Sequence, residues 1–317
     1  MAFETTVGHC IQPSDSSLVR HSFPHNPIAH NPFPLPQEIL DIVVDHVGCV
    51  NASRTRDTAT LLSCSLSSRA LRTSARRHLF RSMTIACSSG ETLESQRQRL
   101  NDLYHLMTIN PHFWSLVRSL SLVLDIGGQM TMPQTRLPNI LQLFCADPSS
   151  AEFTGLQSIS VGGTPDNIVL LSAFSPEFGC ALDCLLHMAR PEVHGLQRVH
   201  LASIGGVPRE IDAFLPPSVK ELVLEQVVFD LSNPVEHAFS ARPYTIPSLV
   251  VKGRASRVSR GLSSRTLTGV RFLEFSTSLP CDPGLKELLM HSKANLRFLS
   301  MYVSCSSAYT CSKNVQT

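Results

Sequence analysis

Leu196-Gln197-Arg198-Val199-His200-Leu201 states the phrase on which the fold turns: apolar, then Arg, Lys or Gln, then any residue, then apolar, any, apolar. The same phrase runs from Phe80 to Ile85, Val117 to Leu122, Leu156 to Val161, Val219 to Leu224, Val270 to Phe275 and Leu296 to Met301. Its last three apolar-any-apolar positions carry the two-residue period of a strand with one face buried. Chance places roughly three such phrases in a chain of this length and composition. Seven occur. An eighth candidate, Ile246-Pro247-Ser248-Leu249-Val250-Val251, breaks the second position.

The central apolar residues Leu120, Ile159, Val199, Leu222, Leu249, Leu273 and Leu299 are separated by 39, 40, 23, 27, 24 and 26 positions. Helix-like segments fill the wider gaps: 94–109 with Leu100, Leu103, Leu106 and Met107; 138–145 with Ile140, Leu141 and Phe144; 177–189 with Leu182, Leu185 and Leu186; 283–292 with Leu285, Leu288 and Leu289. Strand followed by helix in alternation predicts parallel strands joined by crossovers. The shorter spacings fall in the range of leucine-rich repeats, whose units stack because none can bury its own apolar side. The expectation for 81–317 is therefore an irregular leucine-rich-repeat-like α/β solenoid, with an ordinary α/β sheet as the alternative. The Asn that usually follows such a strand phrase is missing throughout. The chain runs only sixteen residues past the last phrase without a polar helical cap, as expected of a shortened product.

Upstream of the phrases the period is helical. Pro36 with Glu38 behind it suits a first helical turn, where the absent N–H costs nothing and the dipole favours a negative charge. A helix from about 36 to 47 follows, carrying Ile39, Leu40, Ile42, Val43, Val44 and Val47 against a polar side of Gln37, Glu38, Asp41, Asp45 and His46. That stripe is too wide for a surface helix. Asp57 or Thr58 caps a second helix through Leu61, Leu62, Cys64 and Leu66, and a third runs from about Arg69 to Leu79 with Leu71, Ala75 and Leu79 inward. Three short helices make a module too small to cover its own apolar surface, so it calls for a protein partner. Residues 1–34, with Pro13, Pro24, Pro27, Pro32 and Pro34 among polar residues, read as a disordered tail.

Lys+Arg of 27 against Asp+Glu of 25 leaves a net charge of +2, which gives no overall reason to bind nucleic acid or an anionic membrane. No apolar run is long enough to span a bilayer, and the first 34 residues hold no secretory apolar core. The ten cysteines are scattered and read as reduced thiols, which places the chain in cytoplasm or nucleus. No glycine-rich phosphate loop, nucleophile elbow or paired-histidine helix is present, so neither catalytic residues nor a cofactor are expected. Cys180, Cys184 and His187 share a helical side with His194 beyond it, but the spacing suits buried thiols better than a closed four-ligand zinc site, and no metal is expected. Lys252, Arg254, Arg257, Arg260 and Arg265 form a basic segment without acidic residues, read as a solvated surface loop or as a contact for an acidic partner. Ser256, Ser259, Ser263 and Ser264 within it would let phosphorylation reverse the local charge.

Residues 35–80 resemble the F-box found in fungal, particularly mushroom-type, proteins. Leu35-Pro36-Gln37-Glu38-Ile39-Leu40-Asp41-Ile42-Val43 is similar to its opening phrase, 61–70 to its second half and Ala75-Arg76-Arg77-His78-Leu79-Phe80 to its close. Ser67 stands where the family usually has Val, and Leu71 where it usually has Trp. The resemblance implies a substrate-receptor subunit that docks on the Skp adaptor, and through it on cullin, of a ubiquitin ligase, with the repeats presenting a protein target. Leu35, Pro36, Ile39, Leu40 and Val43 would then meet the adaptor, with Cys64, Leu66 and Leu71 in the contact or the module core. The alternative is a protein-interaction scaffold with a degenerate F-box and no ligase role.

Overall fold

The computed structural model describes residues 35–48, 57–87, 91–124, 136–145, 155–164, 167–187, 195–209, 215–230, 245–277 and 282–303. The expected tail at 1–34 and the stretch 304–317 lie outside the described residues.

Three helices come first: α1 (Gln37–Gly48), α2 (Thr58–Ser67) and α3 (Arg69–Phe80). Asp57 caps α2 by accepting from the Thr60 N–H at 2.9 Å. Ser68, extended at φ −143, both ends α2 and caps α3 by accepting from the Ala70 N–H at 3.2 Å. The remaining helices are α4 (Leu93–Ile109), α5 (His112–Leu116), α6 (Leu137–Cys145), α7 (Pro176–His187), α8 (Ala255–Gly261), α9 (Ser264–Gly269) and α10 (Pro283–Ser292). Among the described residues no helix is long and apolar enough to cross a membrane.

Among the described residues eleven strands accompany them: β1 (Ser82–Cys87), β2 (Ser119–Leu124), β3 (Ser158–Gly162), β4 (Val169–Leu170), β5 (Arg198–Ala202), β6 (Ile204–Val207), β7 (Glu221–Glu225), β8 (Val228–Phe229), β9 (Ser248–Lys252), β10 (Phe272–Thr277) and β11 (Phe298–Val303). The molecule is α/β. Eight strands make one sheet in the order β1-β2-β3-β5-β7-β9-β10-β11, every pair parallel, so each new strand adds to the same edge. β4, β6 and β8 form a second, three-stranded parallel sheet.

Every phrase of the sequence begins two residues ahead of a strand of the large sheet, the irregular eighth included. Met83, Leu120, Ile159, Val199, Leu222, Leu249, Leu273 and Leu299 are direct neighbours across it. All of these but Met83 and Leu299, on the two edge strands, are fully buried, and with Leu122, Val161, Leu224, Val251 and Phe275 they form one continuous core. Pro247 is tolerated because it precedes its strand: Lys220 O accepts from the Ser248 N–H at 3.0 Å instead.

A turn follows β5, β7 and β9. Ser203, Gln226 and Gly253 follow the register-matched Ala202, Glu225 and Lys252, and all three have positive φ, at 50, 51 and 118 degrees. Their N–H groups continue the ladder, Ser203 to Glu225 O at 2.7 Å, Gln226 to Lys252 O at 2.8 Å and Gly253 to Ser276 O at 2.7 Å. A backbone ladder thus runs through the corner where an Asn was missing from the sequence. Gly253→Ala is expected to lower stability by about 1–2 kcal/mol, because a Cβ is strained at that φ; the shift of the urea midpoint measures it.

The segment 252–265 differs from the expected loop. Lys252 ends β9, Arg254 precedes α8, and α8 and α9 pack inward through Val258, Leu262 and Leu267. Serine spacing and a basic surface disguise two short helices, whose described Val258 and Leu267 point to the core. Ser263 caps α9, accepting from the Thr266 N–H at 3.2 Å, and Ser259 donates to Glu287 at 2.7 Å.

Candidate functional site

α1 and α3 run in the same direction and are joined at every turn by polar groups. Gln37 Nε2 donates to Ala70 O at 3.0 Å, Ser74 Oγ donates to Asp41, and His78 Nε2 lies 2.7 Å from Asp45 Oδ1. The pairs share one offset, so α1 is fixed both in register and in roll. Gly48 lets the His78 ring lie against the helix, where a Cβ would overlap it. Residues that sequence reasoning put on the solvent side of α1 therefore face α3. The core beneath is small: Val44, Leu61 and Ala75, with Val47, Cys64, Leu71 and Leu79 packed on it.

The consequence is an apolar surface turned outward. Ile39 is 45% exposed, Ile42 62% and Val43 53% on α1, and Leu62 is 52% and Leu66 74% exposed on α2. Rolling α1 to hide Ile42 would break all three polar links. Leu40 is half-buried, and Leu35 and Pro36, just before the helix, are exposed. Of the residues assigned from sequence, Ile39, Val43 and Leu66 are outward, whereas Cys64 and Leu71 contribute to the core. Ile42 and Leu62 were not singled out, although their spacing from Ile39 and Leu66 on a helix would have found them.

Ser74 and then Gln37, by hydrogen bonding, hold the Asp41 carboxyl below its ordinary value of 3.8, with Arg77 adding to them against the effect of burial. A depressed carboxylate stabilises the fold above its ordinary pKa and loses that contribution as pH falls through its folded value. Acid should therefore loosen α1 below about pH 4. Asp41→Asn, which keeps the acceptor, should flatten this loss; α1 amide exchange against pH measures it.

The large sheet offers a second surface. Thr84, Ser121, Ser160, His200, Val223, Val250, Glu274 and Ser300 share one outward row. Its middle is charged but internally paired: Arg198 Nη2 with Glu221 at 2.6 Å and Lys252 Nζ with Glu225 at 3.3 Å. His200 Nδ1 lies 3.1 Å from Ser160 Oγ and its buried Nε2 3.5 Å from Glu225. Burial pushes the His200 pKa down against the pull of Glu225. Towards the last strands the surface becomes aromatic, with exposed Phe272, Phe298 and Tyr302.

The other residues weighed from sequence are not assembled into a site. Cys180 and Cys184 lie exposed on α7, while His194 and the side chain of His187 lie outside the described residues. Arg254 and Arg260 are exposed; the side chains of Arg257, Arg265, Ser256 and Ser264 lie outside the described residues. Among the described residues no group of His, Cys, Asp and Glu is placed to hold a metal ion. Compared with family models, curated proteins and solved structures, the chain matches none.

Proposed function

We propose that the chain is a substrate-receptor subunit of a Skp-cullin-F-box ubiquitin ligase, working in cytoplasm or nucleus. Residues 35–80 act as an F-box-like module that docks the Skp adaptor. The region from 81 onward acts as an irregular leucine-rich-repeat-like solenoid whose outer sheet face holds a protein target. One observation carries this reading: α1 is locked by its links to α3 with Ile39, Ile42 and Val43 facing out. An apolar helix face that cannot turn inward is stabilised by a partner's helix or groove.

The receptor makes and breaks no bonds. It brings a target lysine close to the ubiquitin donor, turning a bimolecular encounter into an intramolecular one. A second reading, a non-ligase scaffold with a degenerate F-box, is favoured by Leu71, which takes the family's usual Trp position and packs on the module core. Mixing the purified chain with the Skp adaptor separates the two. Co-elution as a stable complex at micromolar concentration supports the receptor; separate elution leaves the scaffold.

A further inference from the structure

The second position of each strand phrase lies along the border where the chain enters the large sheet. Backbone bonds string these positions together: Arg118 N–H to Arg81 O, Lys220 N–H to Gln197 O and Arg297 N–H to Arg271 O, each at 2.8 Å. Five of the eight positions are cationic, Arg81, Arg118, Lys220, Arg271 and Arg297; Gln157, Gln197 and Pro247 complete the row, and none is acidic. With neighbouring strands about 4.8 Å apart, the row is about 34 Å long and sets Arg81 beside Arg118 and Arg271 beside Arg297.

Cations elsewhere on this face are neutralised, Arg198 by Glu221 and Lys252 by Glu225. Among the described residues Arg81, Lys220, Arg271 and Arg297 pair with no carboxylate, and Arg118 bonds only the carbonyl of Gly155, at 3.4 Å. Burial and then the charges of Arg81 and Arg77 pull the Arg118 pKa down, as expected of like charges held together. At the far end exposed Phe272 and Phe298, ring centroids 6.3 Å apart, adjoin Arg271 and Arg297.

We propose that this border docks an acidic, extended polypeptide segment of about ten residues, the length that spans the row at about 3.3 Å per residue. Its carboxylates neutralise the row, and an apolar side chain covers Phe272 and Phe298. A peptide supplies both kinds of group. A nucleic acid, with one charge per phosphate, is disfavoured by the chain's net charge of only +2 and by the carboxylates of Glu221 and Glu225 on the same face. The assignment names the target class for the receptor face proposed above and rests on that reading.

The test is fluorescence anisotropy of the full chain with a labelled peptide of about twelve glutamates at low salt. Saturable binding is expected, weakening with salt. Replacing Arg81→Gln, Arg271→Gln and Arg297→Gln together should weaken it at least about tenfold. Glutamine is native to the row at Gln157 and Gln197, so the change suits the local structure. Lys286→Gln on α10, outside the row, should change affinity by less than about twofold. If the triple variant melts early, Arg271→Gln with Arg297→Gln must still weaken binding by about threefold. Absence of saturable binding, insensitivity to these substitutions, or tighter capture of an oligouridylate of equal length overturns the proposal. Skp capture is measured on the same protein: capture without peptide binding rejects this border alone, and peptide binding without capture rejects the ligase reading while the border stands.

Discussion

Ile39→Asp combined with Leu66→Asp is expected to weaken Skp capture by more than about a hundredfold, with circular dichroism and melting temperature unchanged. The size follows from position. A central apolar anchor costs about 2 kcal/mol or more when lost from an interface, two such anchors exceed about 4, and each 1.4 kcal/mol is about tenfold in Kd. The selectivity follows from exposure: both side chains already meet water in the free chain, so an aspartate there desolvates no charge until a partner arrives. Ile39→Val with Leu66→Met should retain capture. Truncating Leu61 would not make the same point, because Leu61 is fully buried and its loss damages the module itself. Unchanged capture by the double aspartate variant would move the adaptor to another surface.

The second large effect is on stability. Leu222→Ala should cost about 2–5 kcal/mol, a substantial part of the roughly 5–15 kcal/mol that holds a domain folded. Leu222 is fully buried between Val199 and Leu249 in the middle of the ladder, so the cavity has parallel strands on both sides and little freedom to collapse. Leu299 occupies the equivalent place on the last strand but is only half-buried, and Leu299→Ala should cost less than about 2 kcal/mol. Urea unfolding of the two variants measures the contrast. Equal losses would contradict the stacking order of the sheet.

The large sheet was readable because one six-residue phrase encodes one rung. Strand alternation buries the fourth and sixth positions, and parallel register repeats the same position from strand to strand, so the spacing of central apolar residues is also their alignment. The small sheet was not readable, since β4 and β8 are two residues long and β6 contains Gly205 and Gly206. Helices α8 and α9 were hidden by their short length and by serines that serve as caps and surface. At the candidate site, the breadth of α1's apolar stripe was visible, but its direction was not. Asp41 and Asp45 look like solvent-side residues until Ser74 and His78 are brought opposite them by folding. The corner ladder through Ser203, Gln226 and Gly253 depends on backbone angles that only the glycine announces.

Hydroxyl-radical footprinting of the full chain, alone and with the Skp adaptor, reads the outward face directly. Ile39, Ile42 and Leu66 should be oxidised readily in the free chain and become protected when the adaptor is added, while Val44 and Leu61 stay protected throughout. Protection of Ile39 and Ile42 in the free chain, or their continued oxidation in the complex, would contradict the account.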